Sequence, residues 1–110
     1  MAMDVLGAMT DYGELIWYTE SFMLTLRVHI PVLIKNNQFR LHSVNQKDAY
    51  VYAGNLYSYL SKIGVDKKYH YPILVANNFD TPQVFDVGVM TLVIPEFDEL
   101  ERIKEIHTTH

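Results

Sequence analysis

The sequence predicts an α+β fold: a small N-terminal antiparallel β unit, a strand–helix–helix–strand unit, and a short C-terminal helix. Three patterns predict it. Phe22, Leu24, Leu26, Val28 and Ile30 alternate with Met23, Thr25, Arg27 and His29, the period of a strand with one apolar face. Leu56, Tyr59, Leu60 and Ile63 recur at helical spacing and stop at Gly64, a residue that ends helices well. Phe97, Leu100, Ile103 and then Ile106 or His107 form a narrow apolar stripe. Glu99 with Arg102, and Glu101 with Lys104, are spaced as side-chain pairs on the same helix.

Taken in order, Met1 to Thr10 reads as a flexible arm, and Asp11 to Tyr18 fits a helix and a strand equally well. Pro31 should end the Phe22–Ile30 strand or place it at an edge. Val32 to Lys35 resumes the β pattern, and Asn36-Asn37 is a turn, because Asn tolerates positive φ. Gln38 to Val44 is then the return strand, with Phe39 and Leu41 on one face and Arg40 and His42 on the other. Polar residues Asn45 to Asp48 link to Tyr50-Val51-Tyr52, read as the first strand of the second unit. Pro72 fits the first turn of a helix from Tyr71 to Asn77 or Asn78. Asp80-Thr81-Pro82 turns the chain into a last strand, Val89 to Ile94, stopped by Pro95. The predicted divisions are residues 1–48 (arm and β-hairpin extension), 49–95 (strand–helix–helix–strand module) and 96–110 (amphipathic helix and tail).

Of the 110 residues, 49% are apolar, which is enough to build a core. The net charge of −4, without a run of Lys or Arg, argues against a nucleic-acid partner held by phosphate neutralisation. With no cysteines, a disulfide scaffold, a thiolate zinc site and a cysteine nucleophile are excluded. No apolar run approaches the ~18 residues of a membrane span. MAMDVLGAMTDYGE has no basic region followed by an apolar core, so an export signal is not expected there.

No catalytic constellation is present: no Gly-rich phosphate loop, G-x-S-x-G, H-E-x-x-H or Asp-rich calcium loop. His29 and His42 would face each other across a β layer, and His107 and His110 lie close at a chain end. Both pairs read as solvent-facing polar residues rather than metal ligands. Glu96, Asp98, Glu99, Glu101 and Glu105 cluster, but acid–base work needs a cleft that shifts one pKa, and a terminal helix offers none. A solvated face is the simpler reading. Eight tyrosines are many for this length, and Tyr50, Tyr52, Tyr57, Tyr59, Tyr69 and Tyr71 crowd one region. Core packing and protein contacts account for them better than sugar stacking does.

Residues 49–95 resemble a LysM domain, a small βααβ module known for binding N-acetylglucosamine polymers. Ala49 to Asn55 looks like its first strand and Gly-Asp turn, with Asn55 where Asp is usual. Leu56 to Asp66 looks like its first helix and following Gly turn. Leu74-Val75-Ala76-Asn77-Asn78 resembles the end of its second helix, and Pro82, Gly88, Leu92, Ile94 and Pro95 follow its loop and last strand. The turn after Gly54 is a residue shorter than usual, Val87 replaces a common Pro, and an extra residue separates Gly88 from Leu92.

The resemblance implies a glycan groove mapped onto Gly54, Asn55 and Leu56 and onto Asn78, Phe79 and Asp80. Asn77 and Asn78 also serve simply as helix-ending residues, a role that needs no ligand. LysM-like modules recur in bacteriophage tails and baseplates as assembly contacts. The expectation is therefore a non-enzymatic structural protein of a virion tail, made in the host cytoplasm. It would use no cofactor and no metal. Its partners would be neighbouring virion proteins, copies of itself among them, with Phe97, Leu100 and Ile103 as a docking stripe. The alternative is a peptidoglycan-binding, cell-wall-associated module.

Overall fold

The computed structural model describes residues 15–108, and the fold is α+β. The expected arm Met1–Thr10, and His110, lie outside the described residues. The first long element is a helix, α1 (Glu20–Lys35), where a strand was expected. The reason is a coincidence of periods. Every second residue from Phe22 is apolar, and that set contains the helical series Phe22, Leu26, Ile30, all fully buried. The other members, Leu24, Val28 and Val32, point outward at 57%, 68% and 53% exposure. Thr19 starts the helix, its Oγ1 accepting from Phe22 N–H at 3.3 Å. Pro31 lies inside this helix. Pro31 cannot serve the carbonyl of Arg27, an exposed residue.

Asn36-Asn37 is a turn, as expected. Asn37 has φ 60° and closes α1: Asn37 N–H donates to Ile34 O and Gln38 N–H to Leu33 O. The next element, β1 (Phe39–Ser43), falls within the expected return strand. No hairpin precedes it, because residues 20–35 are helical. Residues Tyr50 to Tyr52, expected as a strand, also fall in and just after a helix, α2 (Gln46–Val51). The Asn45 side chain accepts from Lys47 N–H at 2.8 Å and starts it. Ala49 is fully buried, while Tyr50 and Val51 are 75% and 60% exposed, so packing overrides the β preference of Ala-Tyr-Val-Tyr.

Helix α3 (Leu56–Lys62) and helix α4 (His70–Ala76), the latter led in by a 3₁₀ turn at Lys67–Tyr69, match the two expected helices. Each ends in the same way. Gly64 (φ 85°) and Asn78 (φ 57°) take the left-handed conformation. Val65 N–H then donates to Leu60 O and Phe79 N–H to Leu74 O, satisfying carbonyls that the helix leaves open. The last strand, β2 (Thr91–Pro95), pairs antiparallel with β1, Leu41 opposite Val93. A helix α5 (Phe97–Thr108) follows, as expected.

Two clusters make the core. One gathers Leu56, Tyr59, Leu60, Ile73, Leu74, Phe85, Leu92 and Ile94 between α3, α4 and the inner face of the sheet. The other gathers Trp17, Phe22, Leu26, Ile30, Leu33, Leu100 and Ile103 between α1 and α5. Helix α4 lies between them: its Ile73 and Leu74 face the first, and Tyr71, Val75 and Ala76 pack on the second. Tyr69 joins the layers. Its ring stacks on Phe97 at 4.2 Å and meets Trp17 edge-on at 5.4 Å, and its hydroxyl donates to Glu101 at 2.5 Å. The expected pairs on α5 form, Arg102 to Glu99 at 2.8 Å and Lys104 to Glu101 at 3.7 Å.

Candidate functional site

The sheet has two unlike edges. Glu96 N–H donates to Gln38 O, and Val44 N–H to Met90 O, at the two ends of the ladder. In this register the even-numbered residues of β1 exchange hydrogen bonds with β2, and Phe39, Leu41 and Ser43 turn their main-chain groups outward. On β2 the outward residues are Thr91, Val93 and Pro95. Val93 is closed by a side chain: Asn77 Oδ1 accepts from Val93 N–H at 2.8 Å, and Asn77 Nδ2 donates to Val93 O at 2.9 Å. Nδ2 also donates to Ile73 O at 2.7 Å, fixing the amide to its own helix. Pro95 has no N–H to offer on that side. Among the described residues β1 has no such cover. Among those residues the sheet is two-stranded, and β2 is the only strand beside β1.

Nor is β1 a simple amphipathic strand. Arg40 and His42 share the face that meets Ile94 and Leu92, His42 half-buried and Arg40 exposed, and Leu41 on the other face is 66% exposed. Both make local contacts: His42 Nε2 lies 2.9 Å from Tyr59 Oη, and the Arg40 guanidinium lies 6.0 Å from the centre of the Phe97 ring. Leu92 and Ile94, opposite His42 and Arg40, supply the apolar contact on that face and are fully buried.

Five of the six glycan-groove residues hold structural positions, and Asp80 does not. Gly54, at φ 81°, donates its N–H to Phe85 O at 2.6 Å and ties its turn to the loop before β2. Asn55 Oδ1 accepts from Ser58 N–H at 3.2 Å and caps α3, and Leu56 is fully buried. Asn78 and Asp80 are exposed, and Phe79 packs on the first core cluster. Asn78, Phe79 and Asp80 border a cavity of about 310 Å³ completed by Arg27, Pro31 and Val75, so this loop shares its cavity with α1 and not with Gly54–Leu56.

The predicted docking stripe is corrected. Leu100 and Ile103 are 0% and 5% exposed and pack against α1, and Phe97 is half-buried under Tyr69. These residues hold the chain's own core and leave no apolar stripe for a neighbour. His29 and His42 do not face each other across a β layer either. His29 sits on α1, where Nδ1 lies 2.9 Å from Thr25 O. His107 packs on the Phe22 ring, with its nitrogens 3.4 Å from Ser21 Oγ and 3.1 Å from Thr25 Oγ1.

An aromatic cleft of about 480 Å³ opens beside α3 and α4, walled by Trp17, Tyr18, Tyr57, His70 and Tyr71 with Lys67 and Lys68 at its rim. His70 is buried, and Nε2 lies 3.0 Å from Val65 O. A carbonyl can only accept, so Nε2 carries the proton. Burial lowers the His70 pKa, and nearby Lys67 adds to this, while the Val65 bond and Asp66 oppose it. At Glu101 burial acts to raise the pKa, but the bonds from Tyr69 and Lys68 outweigh it and hold the carboxyl below its ordinary range. Tyr69 is pushed up to about 12 by burial and by that bond.

Sequence reasoning expected exposed strands to pair with neighbours but did not single out the edge of β1, and it missed the cleft at Trp17. The signal for the first was present: β1 carries its apolar alternation, yet Leu92 and Ile94 already fill the core face. No family model, no curated protein and no solved structure matches the chain.

Proposed function

We propose that this chain is a non-enzymatic assembly module: a LysM-like unit that joins neighbouring proteins of a larger particle, such as a bacteriophage tail or baseplate. The single observation that carries the reading is the inequality of the sheet edges. Asn77 closes the centre of β2 at Val93 and Pro95 has no N–H to offer there, whereas β1 presents the outward main-chain groups of Phe39, Leu41 and Ser43 beside an exposed Leu41 side chain. An open edge with an apolar side chain is a template for strand addition, and small folds otherwise protect such edges. The residues mapped to a glycan groove are largely committed to caps, core and loop closure, which also favours assembly.

Peptidoglycan binding is the second reading, favoured by exposed Asn78 and Asp80 beside a cavity with Arg27. Co-sedimentation with insoluble peptidoglycan, run beside light scattering on the soluble protein, separates them. The assembly reading predicts no retention and an associating protein. A monomer that is retained on the wall contradicts it.

A further inference from the structure

We infer that the strand added to β1 is β1 of a second copy, antiparallel and centred on Leu41, giving a continuous four-stranded sheet. This rests on the assembly reading and names its partner. The outward groups of β1 belong to Phe39, Leu41 and Ser43, spaced evenly about Leu41. A two-fold axis at Leu41 sets Leu41 opposite Leu41 of the partner copy, and Phe39 opposite Ser43. All three residues of each strand then exchange main-chain bonds with the other copy.

Charge selects this register. It places Arg40 of one copy across from His42 of the other. A shift of the axis to residue 40 would set Arg40 directly against its own copy, and like charges opposed across strands are destabilising. Moving it to residue 42 leaves only Leu41 and Ser43 with partners, and Phe39 loses its own. In the Leu41-centred pairing the exposed Leu41 side chains of the two copies lie side by side on the outer face, covering each other. Val93, half-buried beside Leu41 on that face, extends the same apolar patch.

Because the chain has no cysteine, single introduced thiols report the register without background. Directly opposed residues in this pairing have Cα atoms ~5.5 Å apart, within the ~4.4–6.8 Å span of a disulfide. Ser43 and its own copy would be four positions out of register, ~13 Å apart. Under mild oxidation the full-length Leu41→Cys protein should therefore run as a covalent dimer, and Ser43→Cys should remain monomeric. A mixture of Phe39→Cys and Ser43→Cys proteins should cross-link with each other.

A Ser43→Cys homodimer would overturn the inference: without a Leu41→Cys one it would mean an antiparallel pairing centred on Ser43, and with one a parallel pairing. So would three proteins that stay monomeric at concentrations where light scattering finds association. Failure of cross-linking in a protein that is also not retained on peptidoglycan removes the second copy as partner and leaves the assembly reading standing. Retention of a monomer on the wall removes both.

Discussion

The side-chain amide of Asn77 meets both main-chain groups of Val93, accepting from its N–H and donating to its carbonyl. A helix end thus stands in for a third strand. Asn77 is the C-cap of α4, and its remaining bond, to Ile73 O, holds the amide in the orientation that the strand requires. Asn77→Ala would leave the partly buried Val93 groups without partners. Each such group costs ~1–3 kcal/mol, so a loss of about 2–4 kcal/mol is expected in urea unfolding. Asn77→Asp should also destabilise at neutral pH, because a carboxylate oxygen would then face Val93 O. A loss below about 0.5 kcal/mol for Asn77→Ala would show that the amide does not secure the edge.

Asn78 makes a different prediction. It holds φ 57° after α4, so what its position demands is a residue that tolerates the left-handed region. Asn78→Gly should leave stability unchanged or slightly raised, and Asn78→Ala should cost about 1 kcal/mol in thermal unfolding. Peptidoglycan retention that falls with Asn78→Gly while the melting temperature holds would assign the residue to a ligand instead.

His70 sets an acid limit. Its folded pKa is lowered from the ordinary 6.5, so the unfolded chain takes up the proton first. Stability is therefore fully present above about 6.5 and declines as pH falls below it, until the folded form also protonates. Glu101, also lowered in the fold, acts only below its ordinary 4.5, which separates the two windows. Urea midpoints measured from about pH 7.5 to 5 should fall for the wild type and stay nearly level for His70→Gln, whose amide can still donate to Val65 O. Parallel curves for both proteins would remove His70 as the titrating group.

Much of the second half was legible in the sequence, because local chemistry decides it. Leu56 to Ile63 is amphipathic at a helical period, Gly64 and Asn78 supply left-handed termini, and Pro95 marks the strand end. The Asn36-Asn37 turn and the helix with Phe97, Leu100 and Ile103 follow the same logic. Helix α1 was not legible, because apolar residues at every second position satisfy both periods when Phe22, Leu26 and Ile30 lie among them. Helix α2 was hidden by a β-prone Ala-Tyr-Val-Tyr run whose fate depends on the burial of Ala49. The site was harder still. Alternation divided β1 correctly into Phe39/Leu41 and Arg40/His42, but only the pairing with Leu92 and Ile94 decides which set faces inward. The bond between Asn77 and Val93 joins residues sixteen positions apart and leaves no local mark.

The most direct test of the account is sedimentation of the wild-type and Leu41→Lys proteins over a concentration series. Leu41 is 66% exposed, so the lysine should change folding stability by less than about 0.5 kcal/mol while placing a charge on the open edge. The account predicts that the wild type associates as concentration rises and that Leu41→Lys remains a monomer. Equal association of the two proteins, or a wild type that stays monomeric throughout, contradicts it.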